Sequence, residues 1–343
     1  MTEQKRLYFF VNEEYWGSRS GGGNDVTSDI HALKRIFTEI TIVKLVKDKK
    51  FNSNLIDLSK PEKTLFIFSG FLTYERLFAS IREDSVEGIY KIINIKDLHF
   101  LRELRHEMLL KDERNHGNVM QREISVYKKC NLVLTYSDDE MKLLNRMDPT
   151  IKAYKHYYYN PNFKPKFTGF RYNNKLIFVG NFEHPPNVDA VKYLQKISKD
   201  ISKDIEILIY GAKSKQVLNS LNLSNSFQVM GEIENIADAY AQGGIFISPL
   251  RFGGGVKIKI IEAALCGLPI LATQESVEGL PLVEGKSYVK FKTTNDFLNA
   301  VENFKNQDAI YKHLSLDAFN RITKISNENS VREKLTLGLG SII

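Results

Sequence analysis

The sequence predicts an α/β protein with two domains, each containing a parallel sheet. The chain has 343 residues, which exceeds the length at which a single hydrophobic core usually stops growing. Short apolar segments alternate with helical patterns along it, as is typical of a parallel sheet covered on both faces. Hydrophobic residues make up 43% and charged residues 26% of the chain, as in ordinary globular proteins. Two α/β domains are therefore expected.

The N-terminal half begins with a strand-forming apolar segment, followed by a glycine-rich stretch and a helical pattern. The glycine spacing does not give the dinucleotide-binding fingerprint, and no matching acidic residue follows it. We predict that residues 21–24, with Gly23, form a loop facing a cleft between the domains; a surface loop without a ligand is the alternative. Strands are predicted at residues 7–11, 40–46, 64–68, 90–95 and 131–136, and helices at residues 27–37, 74–82 and 100–129, the last with a break near 115–118.

The alternation stops at residues 152–168, where two prolines and four tyrosines predict a linker between domains. We therefore predict an N-terminal domain over residues 1–165, a C-terminal domain over 166–325, and a C-terminal helix over 326–343 that can pack back on the N-terminal domain. The C-terminal domain has predicted strands at residues 176–180, 205–210, 227–230, 245–248 and 270–273, and helices at 188–201, 215–223, 235–241, 295–304 and 310–322.

Glycines mark the carboxyl ends of three of these C-terminal strands, at Gly180, Gly211 and Gly231. In open α/β sheets a ligand binds outside the carboxyl ends of the strands. The glycines therefore indicate one ligand-binding edge on this domain.

Residues 248–274 are the strongest functional signal, because they predict a strand, a triple-glycine turn, a short helix and a second strand. We predict that the helix opens on Gly253, Gly254 and Gly255, whose backbone amides favour a phosphate group. Lys257 and Lys259 add positive charge, and the Glu262 carboxylate can accept hydrogen bonds from sugar hydroxyls. The alternative is ordinary turn chemistry with a Lys259–Glu262 surface pair.

Charge and composition indicate which cellular compartment and which classes of binding partner to expect. A formal charge of +7 and a pI near 9.0 favour anionic partners, but basic and acidic residues are interleaved, so nucleic acid is not predicted. Cys130 and Cys266 lie in apolar contexts and are expected to be buried free thiols, as in a reducing compartment. No apolar run suits a signal peptide or a membrane span. We predict a cytoplasmic protein, with peripheral attachment to the inner face of a membrane as a further option.

The segment at 248–274, together with residues 176–194, resembles the C-terminal half of GT-B glycosyltransferases of the large family-four group (glycosyl transferases group 1). The similarity extends over about residues 175–281. In the N-terminal half, residues 97–137 show the best local similarity to the same family. The resemblance implies two Rossmann-like domains facing a cleft, with the nucleotide-sugar held mainly by the C-terminal domain and the acceptor by the N-terminal domain. It also implies transfer without a metal.

Individual roles follow from the resemblance by position. Glu262 would bind the ribose hydroxyls, and Asp97 or His99 would contact the transferred sugar as catalytic residues. A structural histidine and a helix-capping aspartate are the alternatives for the last two. The remaining donor-binding positions are Gly254, Gly255 and Lys257 at the phosphates and sugar, Gly211, Glu232 and Ile233 near the base, and Asn181 after the first C-terminal strand.

Two positions depart from the pattern of the group. Many members carry two glutamates eight positions apart, but here the earlier position is Gly254. The arginine often found after the first C-terminal strand is replaced by Asn181, and we expect Lys257 to supply that charge instead. The identity of the donor and the stereochemistry of transfer therefore stay open.

The leading functional hypothesis is a glycosyltransferase that uses a UDP-, GDP- or dTDP-sugar as co-substrate, without another cofactor, in surface glycan synthesis. The acceptor is expected to be a saccharide or a lipid-linked sugar. One alternative is a sugar-nucleotide epimerase or phosphorylase on the same fold. Another is a nucleotide-sugar-binding subunit that supports a catalytic partner, an alternative that the missing first glutamate allows.

Overall fold

The computed structural model describes residues 5–16, 21–111, 116–167, 170 and 172–340. Across these residues the backbone forms two six-stranded sheets with helices between the strands, and every strand pair is parallel. The predicted α/β class is confirmed.

The chain divides into two compact units. The first comprises Met1–Pro161, Gly254–Val256 and Ser326–Ile343, and the second comprises Asn162–Gly253 and Lys257–Ile325. The domain limits of 1–165, 166–325 and 326–343 drawn from the sequence remain predictions.

The first unit contains a sheet with the strand order β2-β1-β3-β4-β5-β6. Its strands are β1 (Arg6–Asn12), β2 (Ile40–Leu45), β3 (Thr64–Ser69), β4 (Tyr90–Ile95), β5 (Leu132–Thr135) and β6 (Ala153–Lys155). Its helices are α1 (Gly21–Leu33), α2 (Phe71–Phe78), α3 (His99–Leu110), α4 (His116–Lys128), α5 (Asp138–Met147) and, near the end of the chain, α13 (Glu328–Leu339).

Strand β1 shows why this sheet is covered on both faces. Its side chains alternate: Tyr8 and Phe10 belong to one apolar cluster, while Leu7, Phe9 and Val11 belong to another. The second cluster also includes side chains from α13, so the C-terminal helix packs on this sheet. Each large apolar side chain buried in this way contributes roughly 1.5–3 kcal/mol.

The second unit contains a sheet with the strand order β12-β11-β10-β7-β8-β9. Its strands are β7 (Lys175–Val179), β8 (Glu206–Tyr210), β9 (Phe227–Gly231), β10 (Ile245–Ser248), β11 (Ile270–Ala272) and β12 (Val289–Lys290). Its helices are α6 (Pro185–Ile197), α7 (Ser214–Leu218), α8 (Ile236–Tyr240), α9 (Ile258–Leu265), α10 (Gln274–Val277), α11 (Thr294–Asn306) and α12 (Asp308–Ile325).

Three local predictions are wrong. Residues 21–24 form the first turn of α1 rather than a loop, so Gly23 lies in a helix; its donor-binding role stays a prediction. Residues 153–155, assigned to the linker, form the edge strand β6, which is too short to give a periodic pattern. Helix α9 begins at Ile258, so Gly253–Gly255 lie in the preceding loop and their amides are not those of the helix start.

Candidate functional site

The order of strands in the second unit defines where its ligand site should lie. Starting from β7, the chain builds the sheet outward in one direction to β9 and then returns to β10 on the other side of β7. Ligands of such sheets bind at this reversal point, outside the carboxyl ends of the two central strands. Here those ends are followed by Gly180 after β7 and by Pro249 after β10.

Buried hydroxyl groups fix the chain after β10. The Ser276 hydroxyl donates to the carbonyl oxygen of Ser248 at 2.7 Å and accepts from the Leu250 amide at 3.3 Å. The Thr273 hydroxyl donates to the carbonyl oxygen of Leu250 at 2.5 Å. The loop that follows therefore leaves the sheet in a defined direction.

The glycines at the strand ends are required by close backbone packing. A Cβ on Gly211 would lie 1.9 Å from the carbonyl oxygen of Gly180, and a Cβ on Gly180 would lie 2.8 Å from Cγ of Asn187. Gly231 has a φ of 92°, and a Cβ there would lie 2.9 Å from Cε of Lys215. Packing alone thus accounts for Gly211, and its predicted position near the base of the donor stays a prediction.

We expect Gly211→Ala to lower the free energy of unfolding of the second unit by at least about 2 kcal/mol, because neither the Gly180 carbonyl nor the strand can move away cheaply. The control is Gly285→Ala, where φ is 73° but nothing lies within 4 Å of the added Cβ. That variant should lose only the cost of a left-handed backbone, about 1 kcal/mol. Urea unfolding of both variants measures the difference; equal losses would contradict the packing argument.

Helix α9 presents the predicted acidic residue in a buried setting. Glu262 is 6% exposed, and its Oε2 accepts a hydrogen bond from the Tyr240 hydroxyl at 2.9 Å. Tyr240, at the end of α8, is fully buried, so it holds the carboxylate in one orientation. A buried and oriented carboxylate is suited to binding a pair of hydroxyl groups.

Lys257 and Lys259 flank the first residue of α9. Lys257 directly precedes the helix and is 9% exposed, and Lys259 is half-buried one turn before Glu262. The Lys259 ammonium donates to Oδ1 of Asn187 at 2.6 Å and lies 4.5 Å from the centre of the Phe178 ring. Helix α9 and the residue before it therefore carry two lysines and one carboxylate in the segment that follows β10.

The loop after β7 is organised by two asparagines. Asn187 donates through Nδ2 to the carbonyl oxygen of Asn181 at 2.7 Å, and Asn181 accepts through Oδ1 from the Glu183 amide at 3.0 Å. The Asn181 side chain is thus engaged in shaping its own loop. Asn187 was not predicted, although a polar residue in the first turn of a helix that starts with two prolines was the available signal.

Arg251 is a second residue that sequence reasoning missed. It follows β10 and is half-exposed; its Nε donates to Oδ2 of Asp189 at 2.9 Å, and a second contact joins Nη2 to Oδ1. The guanidinium also lies 5.1 Å from the centre of the Tyr193 ring. The hydrogen bond to the buried Asp189 carboxylate raises the pKa of Arg251, so the cation is permanent. This pair fixes α6 against the loop after β10.

Glu232 and Ile233 follow β9 directly. Glu232 is exposed and Ile233 is half-buried, so both are accessible to a ligand. Their predicted contact with the base of the donor stays a prediction.

In the first unit, the predicted catalytic residue Asp97 lies between β4 and α3, and its predicted partner His99 is the first residue of α3. The Asp97 carboxylate accepts from Nη1 of Arg102 at 2.5 Å, and its other oxygen lies 3.5 Å from Nε2 of His99. Burial lowers the pKa of His99 below its ordinary value, although the Asp97 carboxylate opposes this shift. The His99 ring also meets Phe71 edge to face at 5.1 Å. The structure brings the two residues together, and their catalytic role stays a prediction.

Two buried glutamates fix the loop carrying this pair. Glu123 accepts from the amides of His99 at 3.0 Å and Phe100 at 2.8 Å, and from the Tyr127 hydroxyl at 2.9 Å. Burial raises the pKa of Glu123 to about 7, and these three donors oppose the shift because they favour the carboxylate. Glu123 thus caps the start of α3.

Glu140 holds the same loop from the other side. Its Oε1 accepts from the Leu98 amide at 3.1 Å and from the Gly255 amide at 2.8 Å, while Oε2 accepts from the Thr135 hydroxyl at 3.3 Å. Ser137 caps α5, and this places Glu140 in the first turn of that helix. The Gly255 amide, which was predicted to face a donor phosphate, is therefore bonded to a carboxylate within the first unit.

Gly254 and Gly255 pack so closely against Lys96 and Asp97 that neither position has room for a side chain. A Cβ on Gly254 would lie 2.8 Å from Cβ of Asp97, and one on Gly255 would lie 2.1 Å from the carbonyl oxygen of Lys96. Gly255 also has a φ of 62°. Gly254 thus makes room for the Asp97 side chain at the position where many members of the resembled group have a glutamate.

Within the residues that the structure describes, no cluster of three or more His, Cys, Asp or Glu side chains could hold a metal ion, and metal-independent chemistry stays a prediction. Among the same residues, no helix has the length and apolar character needed to span a membrane.

Comparison with protein families confirms the resemblance found in the sequence. Residues 173–306 match the family described as Glycosyl transferases group 1, and this segment contains β7, α9 and the side chains around them. A protein of Klebsiella pneumoniae, described as an uncharacterized 44.6 kDa protein in the cps region, is 25% identical over 180 residues. The match covers 47% of this chain and 46% of that protein, so the chain spans about half the length of this relative.

Solved structures confirm the predicted GT-B fold. HepE of Anabaena, in complex with UDP and glucose, has a TM-score of 0.73 at 12% identity, with 98% of this chain and 100% of HepE covered. Sucrose-phosphate synthase of Thermosynechococcus elongatus has a TM-score of 0.72 at 12% identity, with 99% of each chain covered. TarM of S. aureus, in a complex that includes UDP, has a TM-score of 0.66 at 13% identity, with 84% of this chain and 57% of TarM covered. At these identities the similarity shows the fold alone.

Proposed function

We propose that the chain, whose residues 173–306 match the glycosyl transferases group 1, is a glycosyltransferase. It would move a sugar from a nucleoside-diphosphate donor to a saccharide or lipid-linked acceptor. The family match and the GT-B fold support the class of reaction.

The observation that carries the proposal is the composition of α9 beside the reversal point of the second sheet. Glu262 is a buried carboxylate with a fixed orientation, and the two lysines that precede it in the sequence supply positive charge. In sugar transfer the leaving diphosphate gains negative charge, and fixed cations that meet this charge lower the barrier. This arrangement suits ribose binding by Glu262 and neutralisation of a diphosphate by the lysines, without requiring a metal.

We infer a UDP-sugar as the first donor to test, because the solved structures of HepE and TarM contain UDP. GDP- and dTDP-sugars are the other arms of the same test. The similarity to a protein of a cps region supports a role in surface glycan synthesis. A cytoplasmic location, with peripheral contact at the inner face of the membrane, fits such a role.

Asp97 and His99 are proposed to contact the transferred sugar. This assignment comes from the family resemblance and is supported by their contact with each other and by the two glutamates that fix their loop. Residue 254 is a glycine, and the Asp97 side chain lies next to it, in the space that a side chain at residue 254 would need.

The second candidate function is a nucleotide-sugar-binding subunit that needs a catalytic partner. The observation that favours it is Gly254, which lacks the first of the two family glutamates. The two functions separate in one assay: a transferase releases nucleoside diphosphate from its sugar donor in the presence of acceptor, whereas a binding subunit does so only after a partner chain is added.

A thermal-shift screen tests the proposal at its first step. UDP, GDP, dTDP and their sugars are added at a range of concentrations, and the unfolding temperature is measured. A ligand at 100 times its dissociation constant stabilises the folded state by about 2.7 kcal/mol, so at least one nucleoside diphosphate should give a clear upward shift. If none of them does so, the proposed function is wrong.

A further inference from the structure

We infer that Lys259 is the side chain that anchors the donor diphosphate at the loop after β7, and that donor binding therefore weakens as the solution becomes alkaline. This inference rests on the proposed function, because it names the cation within the same donor site and a pH dependence of its binding. It also differs from the expectation that Lys257 replaces the arginine missing at residue 181.

The position of the Lys259 ammonium carries the argument. It is bonded to Asn187 at 2.6 Å, and Asn187 in turn donates to the Asn181 carbonyl at 2.7 Å. The ammonium therefore lies at the loop after β7, over the Phe178 ring that belongs to that strand. Lys259 thus brings a positive charge to the loop after β7, where Asn181 replaces the arginine that is often found in the family.

Lys259 also lacks the partner that a structural lysine would have. Within the described part of the chain it forms no ion pair, and its hydrogen-bond acceptor is the neutral amide oxygen of Asn187. Placing a cation out of water without a carboxylate partner costs stability. A cost of this kind is typical of residues kept for binding an anion rather than for folding.

The groups that act on Lys259 make its charge sensitive to pH. Burial, with a smaller contribution from the positive charge of Lys257, lowers the pKa of Lys259 to about 7 against the opposing effect of the Glu262 carboxylate. The side chains packed against it from α6 and β7, Asn187 and Phe178, do not titrate. Lys259 is therefore charged below neutral pH and loses its proton as the pH rises through 7, and a bound diphosphate would favour the charged form.

The test is calorimetric titration with UDP, or with GDP or dTDP where the thermal screen ranks one of them higher, at pH 6.5 and pH 9.0. The terminal phosphate of these ligands ionises near pH 6, so the ligand itself changes little over this interval. The apparent dissociation constant rises in proportion to the loss of the binding-competent form. We expect the affinity of the wild-type chain to fall roughly 10- to 100-fold between the two pH values.

Three variants make the test specific. Lys259→Arg keeps the charge at both pH values and should bind with nearly equal affinity at each, because a guanidinium does not lose its proton in this range. Lys259→Met should bind weakly at both. Lys257→Met should retain the pH dependence whatever its affinity. In addition, Lys259→Met should unfold at the same or a higher temperature than the wild type at pH 6.5, whereas a structural role for this lysine would lower that temperature.

The outcomes separate the inference from the proposed function. Wild-type binding that does not change between pH 6.5 and pH 9.0, or Lys259→Met binding as tightly as the wild type, overturns the role of Lys259 and leaves the donor site in place. No binding of any of the three nucleoside diphosphates by the wild type overturns both.

Discussion

Replacing Glu262 with glutamine is expected to weaken nucleoside-diphosphate binding by about 10- to 100-fold and to leave the fold intact. A hydrogen bond to a charged group is worth about 1.5–3 kcal/mol, and each 1.4 kcal/mol is a factor of ten in affinity. Glutamine has nearly the same shape and keeps an oxygen that can accept from Tyr240, so the buried hydroxyl stays satisfied. The loss then reports the charge of the carboxylate. Calorimetry with UDP, GDP or dTDP and the rate of sugar transfer measure it.

Two variants control this prediction. Glu284→Gln removes an exposed carboxylate paired with Lys290 in the same unit, and it should leave affinity unchanged. Glu262→Ala removes the acceptor as well as the charge; it should nearly abolish transfer and also lower stability, because the Tyr240 hydroxyl loses its partner. Unchanged affinity and turnover in Glu262→Gln would show that this carboxylate does not bind the donor.

Glu140→Ala is expected to have the largest combined effect on stability and transfer in the first unit. Two buried amides, those of Leu98 and Gly255, would lose their acceptor, at about 1–3 kcal/mol each. The bond to the Leu98 amide sets the position of the loop that carries Asp97, and a displacement of about 1 Å at a reacting group can cost a factor of about 100 in rate. We therefore expect a lower unfolding temperature and a roughly 100-fold loss of transfer rate, with little change in UDP affinity.

Glu140→Gln and Asp139→Ala are the matched controls. Glutamine keeps an acceptor for the two amides, so Glu140→Gln should retain most of the stability and rate. Asp139 is exposed on the same helical turn, and its replacement should change stability by no more than a few tenths of a kcal/mol. Equal losses in Glu140→Ala and Glu140→Gln would contradict the role of the two amide bonds.

The sequence predicts the architecture well because its signals are local. Strands such as β7 and β8 are continuous apolar segments ending in glycine, and their pattern requires no knowledge of distant contacts. Strand β6 was missed because three residues are too few to show a period, and the start of α1 was missed because glycines disfavour a helix unless tertiary packing stabilises it.

The residues that shape the site depend on contacts between distant parts of the chain. Glu140 meets the Gly255 amide across 115 positions, and Arg251 meets Asp189 across 62. No spacing rule in a single sequence relates such pairs. The role of Gly255 changed for the same reason: a glycine before a helix suggests a phosphate site, whereas the structure uses its amide to bind a carboxylate.

The most direct test of the donor site is a crystal structure of the chain soaked with the nucleoside diphosphate that gives the largest thermal shift. The proposal predicts ribose hydroxyls within about 3 Å of the Glu262 carboxylate, as for charge-assisted hydrogen bonds, and a phosphate oxygen at the Lys259 ammonium. A nucleotide bound away from the carboxyl ends of β7 and β10 would contradict the proposal. So would a nucleotide bound there whose ribose does not contact Glu262.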